Sequence, residues 1–151
     1  MTASDRIQKQ VFLKATQTRV WRAIATPAEF GVWFGVKLDA EFVPGHIVRG
    51  KFNNPKYAAL TWEMLIDRME PERLFAFRWH PYAIDLKADY SQEEHTLVVF
   101  ELQAVEGGTE LTVTESGFDK VPLARRAEAF RMNEMGWGMQ MENVKAHVEK
   151  S

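Results

Sequence analysis

One stretch near the C-terminal end, Val121–Glu149, constrains the fold more than any other. Its apolar residues fall at Leu123, Ala127, Phe130, Trp137, Met141, Val144 and Val148, with spacings of 4, 3, 7, 4, 3 and 4. That is a helical period. The seven spans one missing member at Glu134, the only polar residue on the stripe. At the usual helical rise this segment is about 40 Å long. A chain of 151 residues packs to a radius of gyration of about 15 Å. The helix therefore crosses the whole molecule, and the rest of the chain must wrap it. Residues 1–151 are expected to form one domain with a real core.

The remaining segments say what does the wrapping. Ile7–Lys14 alternates, with Ile7, Val11 and Leu13 on one side, and reads as a strand. A helix follows over about Thr18–Ala25, with Val20, Trp21 and Ile24 on one face. Thr26-Pro27-Ala28-Glu29 restarts a short helix, since Pro suits the first helical position and Thr-x-x-Glu is a capping box. That helix ends near Trp33-Phe34-Gly35. Lys37–Val43 and His46–Phe52 flank Pro44-Gly45 and read as a hairpin. Ala59–Met69 places Leu60, Trp62, Met64 and Ile66 on one face. After the Glu70-Pro71-Glu72 turn, Arg73–Trp79 does the same with Phe75, Phe77 and Trp79. His80–Glu94 has no period and reads as a long polar loop. Thr96–Ala104 aligns Val98, Phe100 and Leu102, and Gly107-Gly108 turns the chain into a last strand, Glu110–Ser116. Strands in sequence joined by turns predict an antiparallel sheet with one buried face. The fold class is α+β, a curved antiparallel sheet around a long C-terminal helix, with two short helices after the first strand.

Composition excludes several chemistries. The absence of Cys removes disulfides, thiol nucleophiles and thiolate metal sites. The net charge of −2 and a single basic doublet, Arg125-Arg126, argue against nucleic acid. That doublet reads as a solvated helix face. The longest mainly apolar run, Phe30–Val36, is too short to span a bilayer. The first residues carry no signal-peptide pattern, so a cytoplasmic protein without membrane association is expected. The four His residues, His46, His80, His95 and His147, are scattered without ligand spacing, so no metal or other cofactor is expected. No phosphate loop or nucleophile elbow is present.

Particular residues narrow the reading further. Val20-Trp21-Arg22-Ala23-Ile24 with Thr26-Pro27 and Trp33-Phe34-Gly35 forms one set. Pro71-Glu72-Arg73-Leu74 with Trp79 forms a second. Gly108–Phe118, reading Gly-Thr-Glu-Leu-Thr-Val-Thr-Glu-Ser-Gly-Phe, followed by Gly136-Trp137, forms the third. Together they resemble the START-like (SRPBCC) superfamily of helix-grip folds, in the branch named for the C-terminal domain of the activator of the heat-shock-protein-90 ATPase. The resemblance covers nearly the whole chain. It implies a fold known for cavities, and it implies either a small-molecule carrier, a module that binds a chaperone in the stress response, or a cyclase-type enzyme. The additional N-terminal domain of the eukaryotic activators is not expected here, which counts against co-chaperone activity.

Candidate site residues follow. Trp33, Phe42, Trp62, Met64, Phe75, Phe77, Trp79, Phe100, Phe130 and Trp137 line either a filled core or a ligand cavity of roughly 300–1,000 Å³. Glu115 shares a strand face with Leu111 and Val113, and Glu134 interrupts the helix stripe. A buried carboxylate must be paired, hydrogen-bonded or neutralised. Glu115 and Glu134 are thus either an acid–base pair or polar anchors in a cavity. Otherwise Glu134 sits in water and Glu115 pairs with an Arg such as Arg78 or Arg49. His80, after Trp79, is a loop histidine or a catalytic base. Met132, Met135 and Met139 form a second helical line; buried they fill the core, exposed they offer a contact for a chaperone or a second copy. The leading expectation is a non-catalytic domain that binds an unidentified small hydrophobic molecule. Partner binding and a cyclase or dehydratase activity of the two carboxylates are the alternatives.

Overall fold

The computed structural model describes residues 6–84 and 87–150. The first five residues, residues 85 and 86 of the long polar loop, and Ser151 lie outside the described residues. The chain runs β1 (Arg6–Leu13), α1 (Gln17–Ala25), α2 (Pro27–Phe34), β2 (Val36–Leu38), β3 (Ile47–Phe52), β4 (Thr61–Glu70), β5 (Leu74–Trp79), β6 (Thr96–Val105), β7 (Gly108–Ser116) and α3 (Leu123–Glu149). The sheet order is β1-β7-β6-β5-β4-β3-β2, and every pair is antiparallel. This is the α+β helix-grip architecture. The inner face carries Ile7, Val48, Met64, Phe77, Val98 and Val113, all nearly or fully buried, and α3 packs its own buried stripe against that layer.

Four local expectations need correction. The second strand is three residues long, not Lys37–Val43. Its ladder stops at Asp39, whose backbone N–H donates to Arg49 O at 2.9 Å while its carboxylate, in place of its carbonyl, accepts from Arg49 N at 3.0 Å. The chain then leaves the sheet and delivers Phe42 into the core, stacked on Phe75 at 5.1 Å. The β6–β7 turn is Glu106-Gly107, because Val105 already pairs with Gly108. Gly108 is required there: a Cβ would lie 2.1 Å from the Leu13 carbonyl oxygen of β1. The Thr26 capping box does not form. The Thr26 hydroxyl donates back to Arg22 O at 2.5 Å, and Glu29 is engaged elsewhere. Arg125 is not a solvated charge. Its guanidinium donates to Glu93 at 2.6 Å and to Pro81 O at 2.7 Å, and lies over the Tyr90 ring, fastening the 80–94 loop to the start of α3.

The helix stripe is also rotated at its start. Leu123 is 79% exposed, and Ala127 faces solvent. The core at that end is closed instead by Phe118 and Val121, which precede the helix, with Phe118 packed edge-on against half-buried Phe130. The buried positions of α3 are Ala129, Trp137, Met141, Val144 and Val148.

The far end of α3 is tied to α2 through Glu29. Glu29 on α2 accepts from Arg19 at 2.7 Å, from Arg22 at 2.9 Å and meets His147 Nε2 at 2.8 Å. Partial burial pushes the Glu29 carboxyl up, but bonds from His147, Arg19 and Arg22 outweigh it and hold it below its ordinary value of 4.5. Its contribution to stability is therefore present above about pH 4.5 and lost as pH falls through the lowered value. Glu29→Gln is expected to cost about 1–2 kcal/mol at neutral pH. Urea titrations of variant and wild type should converge below the ordinary carboxylate range; a gap that persists there would contradict the ion-pair account.

Candidate functional site

Strand register builds the site. Trp79 of β5 pairs with Thr96 of β6, and Val98, two residues on, pairs with Glu115 of β7. Side chains alternate across a strand, so Trp79, Thr96 and Glu115 share the inner face. Asn133 and Trp137, one turn apart on α3, descend onto the same place. The Glu115 carboxylate is fully buried and meets four donors. Oε2 accepts from Thr96 Oγ1 at 2.5 Å and Trp79 Nε1 at 2.7 Å. Oε1 accepts from Trp137 Nε1 at 2.8 Å and Asn133 Nδ2 at 2.9 Å. Two donors on each oxygen fill the acceptor capacity of a carboxylate. Burial nevertheless dominates and raises the Glu115 pKa, against the pull of the four hydrogen bonds. Neither expected arginine partner is there: Arg78 pairs with Asp67 and Arg49 with Glu63.

Above this group lies a half-open cleft of about 500 Å³. Trp62, Trp79, Trp137 and Phe34 form its floor, with ring centroids 5.5–6.1 Å apart along the Phe34–Trp62, Trp62–Trp79, Trp79–Trp137 and Phe34–Trp79 contacts. Phe52 and Tyr57 stand on one side, and Tyr82, Ile84 and Tyr90 of the long loop on the other. The helix contributes Asn133, Gly136 and Gln140. Gln140 is committed, donating to Phe34 O at 3.0 Å and accepting from Asn143. His80 is on the rim, its Nε2 2.9 Å from Glu93 O and its ring 4.4 Å from that of His95. A carbonyl can only accept, so that nitrogen carries the proton.

The family model described as "Activator of Hsp90 ATPase homolog 1-like protein" matches residues 14–149. The chain belongs to this family. Among solved structures of the same fold, protein MLL2253 from Mesorhizobium loti is 20% identical, with a TM-score of 0.77 and coverage of 97% of this chain and 98% of that one. The Aha1 dimer from Colwellia psychrerythraea, a solution structure, is 17% identical, with a TM-score of 0.71 and coverage of 95% and 96%. DynU16, from the dynemicin biosynthetic locus, is 23% identical, with a TM-score of 0.73; 96% of this chain aligns to 47% of that one. At these identities the likeness is one of fold. No curated protein matches the chain.

Within this family member the expected site residues fall in five different places. Trp62, Trp79 and Trp137 border the cleft, with His80 at its rim. Trp33, Phe42, Met64, Phe75, Phe77 and Phe100 are in the core at 8% exposure or less and do not line the cleft. Phe130 packs on Phe118, away from it. Glu115 lies under the floor, joined to the cleft through Trp79, Trp137 and Asn133. For Glu134 the solvated alternative holds and the cavity one does not. Its side chain is 52% exposed, 4.0 Å from Lys9. Asn133, one residue earlier, occupies the inward position. Glu115 and Glu134 share no cavity, so the paired-carboxylate chemistry has no geometric basis. Asn133 and Thr96 of the carboxylate group, and Gly136, Phe34, Phe52, Tyr57, Tyr82 and Tyr90 of the cleft, were not among the site residues expected from the sequence. Met135 and Met139 are 55% and 67% exposed. Among the described residues no three or more His, Cys, Asp or Glu side chains are grouped to hold a metal, and no helix is long and apolar enough to cross a membrane.

The raised Glu115 pKa has a definite sign. The folded protein retains a proton that the unfolded chain releases near 4.5. Stability from this group is present below that value and is lost as pH rises through the folded one. Wild-type minus Glu115→Gln stability is therefore expected to fall with rising pH across that window and then level off. The indole N–H resonances of Trp79 and Trp137 should shift together over the same range in proton–nitrogen spectra. Independent movement of the two signals, or a difference that rises with pH, would show that Glu115 is not the titrating group.

Proposed function

We propose that this domain binds a small, largely apolar molecule in the cleft over Trp62, Trp79 and Trp137. The observation that carries the reading is Gly136. It sits in the middle of a 27-residue helix and borders the cleft. A Cβ there would meet no atom within 4 Å, so packing does not require glycine. Glycine in a helix interior costs about 1 kcal/mol relative to Ala. A helix that gives up stability to leave space open against four aromatic rings is arranged to admit something. The volume is in the range of small-molecule sites, and membership of a helix-grip family supports the same conclusion. A specific ligand and a cytoplasmic setting belong to this proposal as well.

Native mass spectrometry of freshly purified protein is expected to reveal a co-purified small molecule. Nile red, a neutral apolar dye, serves as a direct probe. Wild type should bind it saturably. Gly136→Leu fills the cleft and improves helix propensity, so dye binding should vanish while Tm rises by about 2–4 °C. Equal dye binding by both proteins would place the dye elsewhere and remove the support for the cleft.

A second reading concerns self-association. Met135 and Met139 lie one turn apart on the exposed side of α3, and the Colwellia relative is described as a dimer. A second copy of this chain docked along that line predicts a dimer by sedimentation equilibrium that Met139→Lys dissociates. A monomer at 100 μM or so, well above a micromolar affinity, would end this reading. Binding of a chaperone is the remaining partner expectation carried by the family, and a pull-down against the purified chaperone tests it.

A further inference from the structure

The cleft is apolar in area but not featureless. Its few polar groups are oriented by what lies beneath. Glu115 Oε1 faces the Asn133 amide at 2.9 Å. The amide presents Nδ2 downward and donates to that oxygen. Oδ1 is then turned away from the carboxylate. Among the described residues nothing donates to it, and no buried side-chain nitrogen or oxygen is left unpartnered. Asn133 Oδ1 is therefore open, and the space that Asn133 borders is the cleft. Trp62 presents the complementary case. The indole N–H groups of Trp79 and Trp137 are consumed by Glu115. That of Trp62 has no partner among the described residues and is likewise not shut away.

Charge narrows the ligand further. Among the described residues no Lys or Arg lines the cleft, and the one acidic lining residue, Glu63, is bound to Arg49 at 2.8 Å. A carboxylate or phosphate ligand would lose its hydration without gaining a counter-charge. The floor consists of flat rings, which favour stacking or edge contacts with another ring over contact with a flexible chain.

We infer that the cleft takes a neutral, flat aromatic molecule bearing a hydroxyl group, whose O–H donates to Asn133 Oδ1, and that Asn133 is the specificity-determining residue. This deepens the binding reading above and rests on it. Glu115 acts here as a positioning residue: it does not touch the ligand but fixes which end of the Asn133 amide the ligand meets. Trp62 Nε1–H supplies a donor for a second ligand oxygen on the floor.

The test uses naphthol, methoxynaphthalene and laurate as probes, measured by equilibrium dialysis against the full chain. Naphthol and its methyl ether stack alike, but only naphthol donates. Wild type should prefer naphthol by about tenfold, with laurate the weakest of the three. Asn133→Leu should bring naphthol down to the level of the ether while leaving the ether's own affinity within about twofold. Trp62→Phe, which keeps a ring and leaves the Glu115 group untouched, should retain the preference for naphthol over the ether. The wild-type comparison needs no variant, so a misfolded Asn133→Leu protein does not shield the inference. Equal affinity of wild type for naphthol and its ether overturns the role of Asn133 while the cleft reading stands. Laurate binding more tightly than naphthol overturns the neutral aromatic class, again with the cleft intact. Failure of all three probes to bind, or binding unaffected by Gly136→Leu, overturns the cleft reading itself.

Discussion

A carboxylate with no cation beside it, sealed beneath the floor of an aromatic cleft, is the interaction on which the rest of the site depends. Glu115 joins two layers of the fold. Thr96 and Trp79 reach it from the sheet, Asn133 and Trp137 from the helix. Each donor is a neutral group, and the two buried ones, Thr96 and Trp137, would be left unsatisfied without it, at about 1–3 kcal/mol apiece. The same four bonds fix the planes of two indoles and the sense of one amide. Burial opposes the arrangement by raising the carboxyl pKa. The register of β5, β6 and β7 makes it possible, because only with Trp79 opposite Thr96 and Val98 opposite Glu115 do the three side chains share a face. A slip of one residue would send Glu115 to solvent.

Much of the fold was legible in local patterns. Alternation and turn signals located six of the seven strands to within two residues at each end, and the helical period located α3 to within two residues of its start. The failures share a cause. Phe42 sits in a segment that alternates like a strand, but its ring stacks on Phe75, and tertiary packing draws the backbone out of the sheet after Leu38. Leu123 and Ala127 complete an apolar stripe in sequence, yet the core they would cover is already closed by Phe118 and Val121. Anchoring the stripe on those two residues placed its gap at Glu134. The true stripe is set by Trp137, Met141, Val144 and Val148, and stepping back one turn from Trp137 reaches Asn133. One residue is a rotation of about 100° on a helix, enough to exchange a buried amide for a solvated carboxylate. Thr96 gave no signal, since a threonine opening a strand is ordinary. Alternation also says which side chains point inward without saying how full the interior is. The Phe-rich part packs ring on ring, and the Trp-rich end borders the cleft.

That asymmetry follows from what the two ring types can do. Phe has no polar handle and can fill a dry interior completely, as Phe75, Phe77 and Phe100 do at zero exposure. Trp brings an N–H that needs a partner. Trp33 satisfies its own on Ala23 O at 2.9 Å and so belongs to the core. Trp79 and Trp137 satisfy theirs on Glu115, which keeps their faces free to form a floor. The carboxylate thus lets two large polar-tipped rings stand at the boundary between interior and cleft.

Local rules are broken unevenly along this chain. Apolar stripes on helices exclude amides, but α3 carries Asn133. Helix interiors avoid glycine, but Gly136 sits beside Trp137 with open space where its side chain would be. Residues other than glycine avoid positive φ, but Tyr82 has a φ of 50°. Buried carboxylates seek cations, but Glu115 has none. Three of these four residues line the cleft and the fourth supports its floor. The other positive φ outside glycine, Glu72 at 63°, has a structural reason in its tight turn, where its carbonyl and carboxylate accept from Gln17 and Thr18 of α1. Sequences that fold well agree with themselves at every level, and the places where they do not are where function outweighs stability. These four departures meet at one volume of about 500 Å³, whereas Gly138, another interior glycine of α3 with open space at its Cβ position, does not line it.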